Sequence, residues 1–260
     1  MDYETFTEQV FFSTLRIEFP SKATMGTGFI VKSPSKVPGR VYTFLVSNKH
    51  VINDPRDILR IVFHSRDDDK ATPNLNKHHE FEINKIADGA YYTHPSEDVD
   101  LACLNISDLL NRSDKFYMRM LDSSIMSDYN EPDLQAGKEI LFVGYPEDRY
   151  DHAHNLPILR GGRIASLPKV DFEKDPVFLV DAPVFPGSSG SPVFAVLGGY
   201  YKLIGVVTQT MIKHQKLEMV EKAKERQLVA PQTIGIGLAY KSTCVKQLID
   251  YATDRLNRLR

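Results

Sequence analysis

Cysteine is scarce in this chain: among its 260 residues only Cys103 and Cys244 carry a thiol, and two cysteines make no disulfide framework. The N-terminus, Met1-Asp2-Tyr3-Glu4-Thr5-Phe6, has neither a basic region nor an apolar core, so no secretory signal is expected there. The start methionine is read as that of a chain from which no propeptide has been removed. No apolar run approaches the roughly 20 residues of a spanning helix, which leaves no case for a membrane partner. Lys and Arg number 32 against 34 Asp and Glu, for a net charge of -2. Nothing in that balance favours nucleic acid as a partner. Histidines cluster only at His78-His79 and at Asp151-His152-Ala153-His154. Neither group has the spaced Cys or Glu partners of a zinc site, so neither metal nor cofactor is expected.

What is present is the composition of a globular protein, 42 % apolar and 25 % charged, arranged as many short apolar or alternating runs. Strands are expected over Phe11–Phe19, Thr27–Lys32, Arg40–Ser47, Arg60–His64, Phe81–Ile86, Leu101–Asn105 and Glu139–Gly144. Further strands are expected over Gly161–Ser166, Val177–Asp181, Pro192–Val196, Tyr201–Thr208 and Ile234–Ala239. Near-regular spacing with Gly and Pro turns between them predicts an all-β sandwich or barrel. The mixed run Arg66-Asp67-Asp68-Asp69-Lys70 is read as a solvated turn. The polar stretch Asn111–Gly137 is read as the connection between two halves. Cys244, Val245, Leu248, Ile249 and Leu256 recur at helical spacing behind Ser242 as a cap. The charged segment Lys213–Gln227, with a thin stripe of Leu217, Val220 and Leu228, reads as a surface helix or an ordered insertion.

The sharpest chemical signal is Pro186-Gly187-Ser188-Ser189-Gly190-Ser191-Pro192. Glycines on both sides of Ser189 allow a tight backbone turn that aims the amides of Gly187 and Ser189 at one point. Two such donors would stabilise a tetrahedral oxyanion by ~3 kcal/mol each. A serine is a weak nucleophile without a base. His50, at the exit of the apolar run Phe44–Ser47, is the histidine best held by a core element. A carboxylate should fix the imidazole tautomer. Asp98 and Asp100 both precede the apolar run Leu101–Leu104; Asp100 abuts it and is the choice. Cys103 lies inside that run and reads as a buried small hydrophobe rather than a second nucleophile.

These residues carry a resemblance to a known family. Gly26-Thr27-Gly28-Phe29-Ile30-Val31, Val46-Ser47-Asn48-Lys49-His50-Val51 and Asp100-Leu101-Ala102 resemble three first-half motifs of the trypsin-like peptidases of the chymotrypsin clan. Val143-Gly144-Tyr145-Pro146, Gly162-Arg163-Ile164-Ala165-Ser166, Asp181-Ala182, Leu203–Thr208 and Ile234–Ala239 resemble later ones. The likeness is greatest to the bacterial branch that includes the HtrA/Deg proteases, and no PDZ module is expected to follow. It implies two six-stranded antiparallel Greek-key β-barrels and a C-terminal helix. The division would be about 1–125, 126–240 and 241–260 within one peptidase domain. It implies a serine endopeptidase in which His50 is base and acid, Asp100 orients it, Ser189 attacks, and the Gly187 and Ser189 amides bind the oxyanion. The order His, Asp, Ser is the chymotrypsin order.

By the same resemblance, Pro183 and Val184 would form the base of the specificity pocket. Val207, Thr208, Gln209 and Thr210 would pair with substrate backbone, and Gly235 and Gly237 would line the far wall. None is acidic, which points to a small or medium apolar residue before the cleaved bond. Ser188 stands where digestive members carry an aspartate that pairs with a newly cut N-terminus. Activation is therefore expected from loop ordering or from an activating partner protein. Secreted members usually have several disulfides, so two cysteines point to a reducing cytoplasm. The expected partner is a protein or peptide substrate. The rival is a catalytically dead module used as a scaffold or partner sensor. An α/β-hydrolase is excluded, since it needs a glycine where Ser191 stands and the order Ser, Asp, His, and the only histidine after Ser189 is His214, in the charged insertion. Met211–Leu228, after the substrate-pairing strand, is read as a lid or docking element.

Overall fold

The structure, a computed structural model, describes residues 4–21, 24–52, 58–67, 72–84, 89–111, 115–146, 149–219 and 226–258. Asp68-Asp69-Lys70 of the mixed charge run, Ile86 of an expected strand and Val220 of the insertion lie outside these residues.

The expected strand over Phe11–Phe19 begins as helix: α1 (Phe6–Ser13) precedes β1 (Thr14–Phe19), which keeps the strand from Thr14 on. The cause is a capping box. The Thr5 amide donates to Glu8 Oε2 at 3.1 Å and the Glu8 amide to Thr5 Oγ1 at 3.3 Å, which satisfies two donors that a helix start leaves open. Strands β2 (Thr24–Pro34), β3 (Val41–Asn48), β4 (Ile58–Arg66), β5 (Pro73–Asn84), β6 (Tyr91–Thr93) and β7 (Leu101–Asn105) follow. After helix α2 (Ser107–Asn111) come the two-residue strands β8 (Phe116–Tyr117) and β9 (Leu121–Asp122). They form one nine-stranded sheet ordered β5-β4-β1-β2-β3-β7-β6, with β8 on β4 and β9 parallel to β2. Its pairing path stays open among the described residues, whereas two closed barrels were expected. Ile17, Ile30, Leu45, Leu59, Ile61, Phe63 and Leu104 form its buried core.

The second half does close. β10 (Glu139–Gly144), β11 (Ile158–Ile164), β12 (Val177–Asp181), β13 (Pro192–Leu197), β14 (Tyr200–Met219) and β15 (Arg226–Lys241) form a barrel ordered β10-β11-β12-β15-β14-β13. Phe142, Phe178, Val180, Val193, Ile204 and Val207 fill it. The architecture agrees with the chymotrypsin-like fold that the sequence implies. β14 and β15 overturn the helical reading of Lys213–Gln227. Already neighbours in the barrel, they carry their ladder outward as far as Met219↔Arg226. Continued pairing satisfies backbone groups that a separate helix would have to cap, and Leu217 stands opposite Leu228 in the register.

Helix α3 (Ser242–Arg258) seats the two halves on one another. Its buried Cys244, Val245, Leu248, Ile249, Ala252 and Leu256 share a cluster with Phe29, Val31 and Phe44 of the first sheet and with Phe194, Leu203 and Val206 of the barrel. Each valine, leucine, isoleucine or phenylalanine among them removed from water stabilises by about 1.5–3 kcal/mol. The Ser242 hydroxyl does not cap the helix but donates to the Ser127 carbonyl at 2.8 Å.

A buried histidine ties the loop before β11 to β4. His64 is 4 % exposed, lies edge-on to Phe12, and donates through Nε2 to the His154 carbonyl at 2.8 Å. Burial, aided by His78 and His154, holds its pKa below the usual histidine value, against the upward pull of that bond. The unfolded chain then takes up a proton more readily than the folded one. Stability is full above about pH 6.5 and declines as the pH falls below it. Urea midpoints measured from pH 7.5 to 5 should fall, and His64→Gln should remove part of that slope. A variant with the wild-type slope would contradict the assignment.

Candidate active site

The pairing of β3 with β7 brings His50 and Asp100 together. Asn48 stands opposite Leu101, so the residues just past one strand meet those just before the other. Chain direction is then pinned by the Asp100 carbonyl, which accepts from the Lys49 amide at 3.1 Å and from Asn48 Nδ2 at 2.9 Å. The Asp100 carboxylate takes the His50 amide at 2.9 Å through Oδ1 and faces His50 Nδ1 at 2.5 Å through Oδ2. Oδ2 also accepts from Thr208 Oγ1 at 3.4 Å. The carboxylate thus has a donor for each oxygen, and the ring is left with Nε2 outward. Asp98, the other candidate, is exposed; its carbonyl accepts from Tyr240 Oη at 3.3 Å.

The segment Phe185–Ser191 is a pair of turns sharing Ser188. The Ser188 amide donates to Phe185 O and the Ser191 amide to Ser188 O, both at 3.0 Å. Gly187 and Gly190 occupy the third positions with φ of +84° and +88°, the region that a type II turn demands there and that glycine alone enters freely. The Gly190 amide donates to Val207 O at 2.9 Å. Among the described residues the amides of Gly187 and Ser189 have no acceptor, and these are the two expected to face an oxyanion. Ser189 Oγ donates to the Thr208 carbonyl at 3.0 Å. The Ser188 hydroxyl turns back on its own turn, 3.4 Å from the Phe185 amide, and is buried.

Thr27 is the residue that sequence reasoning missed. Its amide donates to Ser189 O at 2.9 Å and its hydroxyl to Gly187 O at 2.8 Å. The same hydroxyl accepts the Tyr145 amide at 3.0 Å, and its carbonyl accepts from Ser47 Oγ at 2.6 Å. One β2 threonine therefore fastens the serine loop of the barrel to the histidine-bearing sheet. The signal lay in Gly26-Thr27-Gly28, where only the glycines had an evident purpose. Gly190 sits so close that a Cβ there would run into Thr27 O and Ser47 Oγ. Gly190→Ala should cost about 3 kcal/mol or more in urea melts, through left-handed strain plus this collision. A variant as stable as the wild type would show that the loop has another way to sit.

The expected specificity residues divide. Val184 is buried, and a Cβ at Gly237 would strike its side chain, so these two close on each other. Pro183 is exposed beside them, and Gly235 has a φ of +77° with open space around it. Val207 is a correction. Its amide donates to Ser191 O, its carbonyl accepts from Gly190, and its side chain is buried in the barrel, so it has no free backbone group for a substrate. Gln209 and Thr210 lie on β14 opposite Leu238 and Gly237. Cys103 is fully buried, and burial pushes its thiol far above the ordinary range, which removes it as a nucleophile.

A family model described as the trypsin-like peptidase domain matches residues 26–206. That span holds His50, Asp100, Ser189 and the Thr27 tether. No curated protein matches the chain.

Proposed function

The chain belongs to the trypsin-like peptidase domain family, and from that premise we propose that it is a serine endopeptidase with Ser189 as nucleophile, His50 as base and acid, and Asp100 as the group that orients His50. The observation that carries the reading is the pair of contacts from Asp100 to the His50 amide and to Nδ1. With the Nδ1 proton directed at Asp100, Nε2 has its lone pair free for the Ser189 hydroxyl proton. Oγ attacks the scissile carbonyl, and the negative charge develops on an oxygen facing the Gly187 and Ser189 amides. As the C–N bond breaks, His50 Nε2 passes its proton to the leaving amine. Water, deprotonated in turn by His50, then hydrolyses the acyl-enzyme.

Because Val184 lies where a Cβ at Gly237 would go, a specificity pocket built from Pro183, Val184, Gly235 and Gly237 would be shallow, and none of the four is charged. A small or medium apolar residue before the cleaved bond suits it. Cleavage profiling over a peptide library should peak at Ala, Val or Leu; strong cleavage after basic or acidic residues would sink this specificity. The buried, inward-turned Ser188 offers no carboxylate to a new N-terminus, so control falls to substrate or to an activating partner protein. Two free, buried cysteines suit a reducing, cytoplasmic setting and a regulatory, quality-control or defence role.

One observation favours a second reading. Ser189 Oγ is engaged by Thr208 O rather than by His50, as it would be in a module kept as a scaffold or sensor. The two readings part on whether substrate binding redirects that hydroxyl.

A further inference from the structure

β14 has a bare edge that begins at the nucleophile. On one side β15 covers it from Gly205 to Met219. On the other, β13 covers it only from Tyr200 to Val206. The serine loop takes over there. Ser191 O accepts the Val207 amide, Gly190 donates to Val207 O, and Ser189 Oγ donates to Thr208 O. From Gln209 to Met219 no strand pairs with that side among the described residues.

In an antiparallel ladder every second residue turns its N–H and C=O away from its partner. Gln209–Met219 therefore presents about 35 Å of regularly spaced donors and acceptors. β14 contains no proline, whereas the outer edge of β15 is interrupted by Pro231, which has no donor to offer. Register shifts at Val207/Gln209 and Thr210/Ile212 add twist where the ribbon leaves the barrel. A two-stranded ribbon is marginal alone, and an unblocked edge accepts another strand.

Pairing of substrate with Gln209 and Thr210 is what the family resemblance implies; we propose that the edge beyond them, Met211–Met219, is an extended exosite which binds the farther acyl-side segment of a polypeptide substrate as a continuation of that antiparallel strand. The proposal rests on the peptidase reading for its direction. A chain whose scissile carbonyl meets Ser189 and which runs antiparallel to β14 places its N-terminal residues toward Met219. The ligand class is an unfolded or extended polypeptide with a long stretch upstream of the cleaved bond. Recognition is by main chain, so sequence matters little beyond the exclusion of proline at alternate positions.

The test uses the full chain carrying Ser189→Ala and fluorescein-labelled peptides of alternating Thr and Ser that end in Val-Ala-Ser, with acyl-side lengths of about 3, 7 and 11 residues, which span the edge at one strand residue each. Kd should fall about tenfold from the shortest to the longest, the gain expected from a few net main-chain hydrogen bonds. N-methylation of every second upstream amide should erase that gain in one parity and spare it in the other. Replacing Ile212–Thr233 by a short Gly-Asn-Gly turn should abolish the length dependence but keep binding of the shortest peptide. No gain with length, equal loss in both parities, or gain only from leaving-side extension would overturn the proposal. If the shortened variant does not fold, the parity pattern on the full chain decides. Fluorophosphonate labelling of the wild type separates the two readings. Absent labelling with the parity pattern intact removes the chemistry and keeps the exosite; labelling without a length gain removes the exosite alone.

Discussion

Ser189→Ala is expected to lower peptide turnover about a million-fold while leaving the fold and the substrate Kd near their wild-type values. The size follows from how the three residues act. In the proposed mechanism His50 and Asp100 activate a hydroxyl, and with that hydroxyl gone they have nothing to activate. Only the Gly187 and Ser189 amides remain to polarise a carbonyl, which leaves roughly 10³–10⁴-fold over the reaction in water. Stability should hold, because Ser189 is tied to the sheet by its carbonyl, through the Thr27 amide, and alanine keeps that bond. The one hydrogen bond lost is from Oγ to the Thr208 carbonyl, worth about 1 kcal/mol. Turnover in the variant within tenfold of wild type would mean that a different residue attacks.

Asp100→Asn should cost about 10⁴-fold in kcat with little change in KM. The shape is unchanged; the hydrogen-bond sense is not. Oδ2 faces His50 Nδ1 and Oδ1 receives the His50 amide, so both positions need acceptors. An amide has one acceptor and one NH2 group. With oxygen kept toward the His50 backbone, the NH2 donates to Nδ1 and drives the ring proton to Nε2. His50 then meets the Ser189 hydroxyl with a donor and cannot take its proton. Asp98→Asn, at an exposed residue whose side chain bonds none of these groups among the described residues, serves as the control and should change kcat less than twofold. A large effect at Asp98 with none at Asp100 would reverse the choice between the two carboxylates.

Both expectations rest on features the sequence displayed unevenly. The strand ends that hold His50 and Asp100 were readable because Phe44–Ser47 and Leu101–Leu104 are apolar runs with polar residues immediately outside them. The serine loop was readable from Gly187 and Gly190, whose positive φ values no other residue takes up freely. α1 was hidden because Phe11 and Phe12 continue the apolar run of β1, and a capping box depends on Thr5 and Glu8 rather than on hydrophobic period. The ribbon was hidden because the charged residues of Lys213–Gln227 are good helix formers, and only the barrel's neighbour relation between β14 and β15 overrides that propensity. Thr27 was hidden for another reason. Its four hydrogen bonds reach residues far along the chain, and no local pattern reports a tether across two halves.

Covalent labelling with a fluorophosphonate decides whether Ser189 is a nucleophile activated by His50. Intact mass followed by peptide mapping should find one adduct, on Ser189, in the wild-type chain and in Asp98→Asn. The adduct should be lost in Ser189→Ala and strongly slowed in His50→Ala. A wild-type chain that stays unlabelled at Ser189, with extended peptide present as an activator, would contradict that role and leave the scaffold reading in its place.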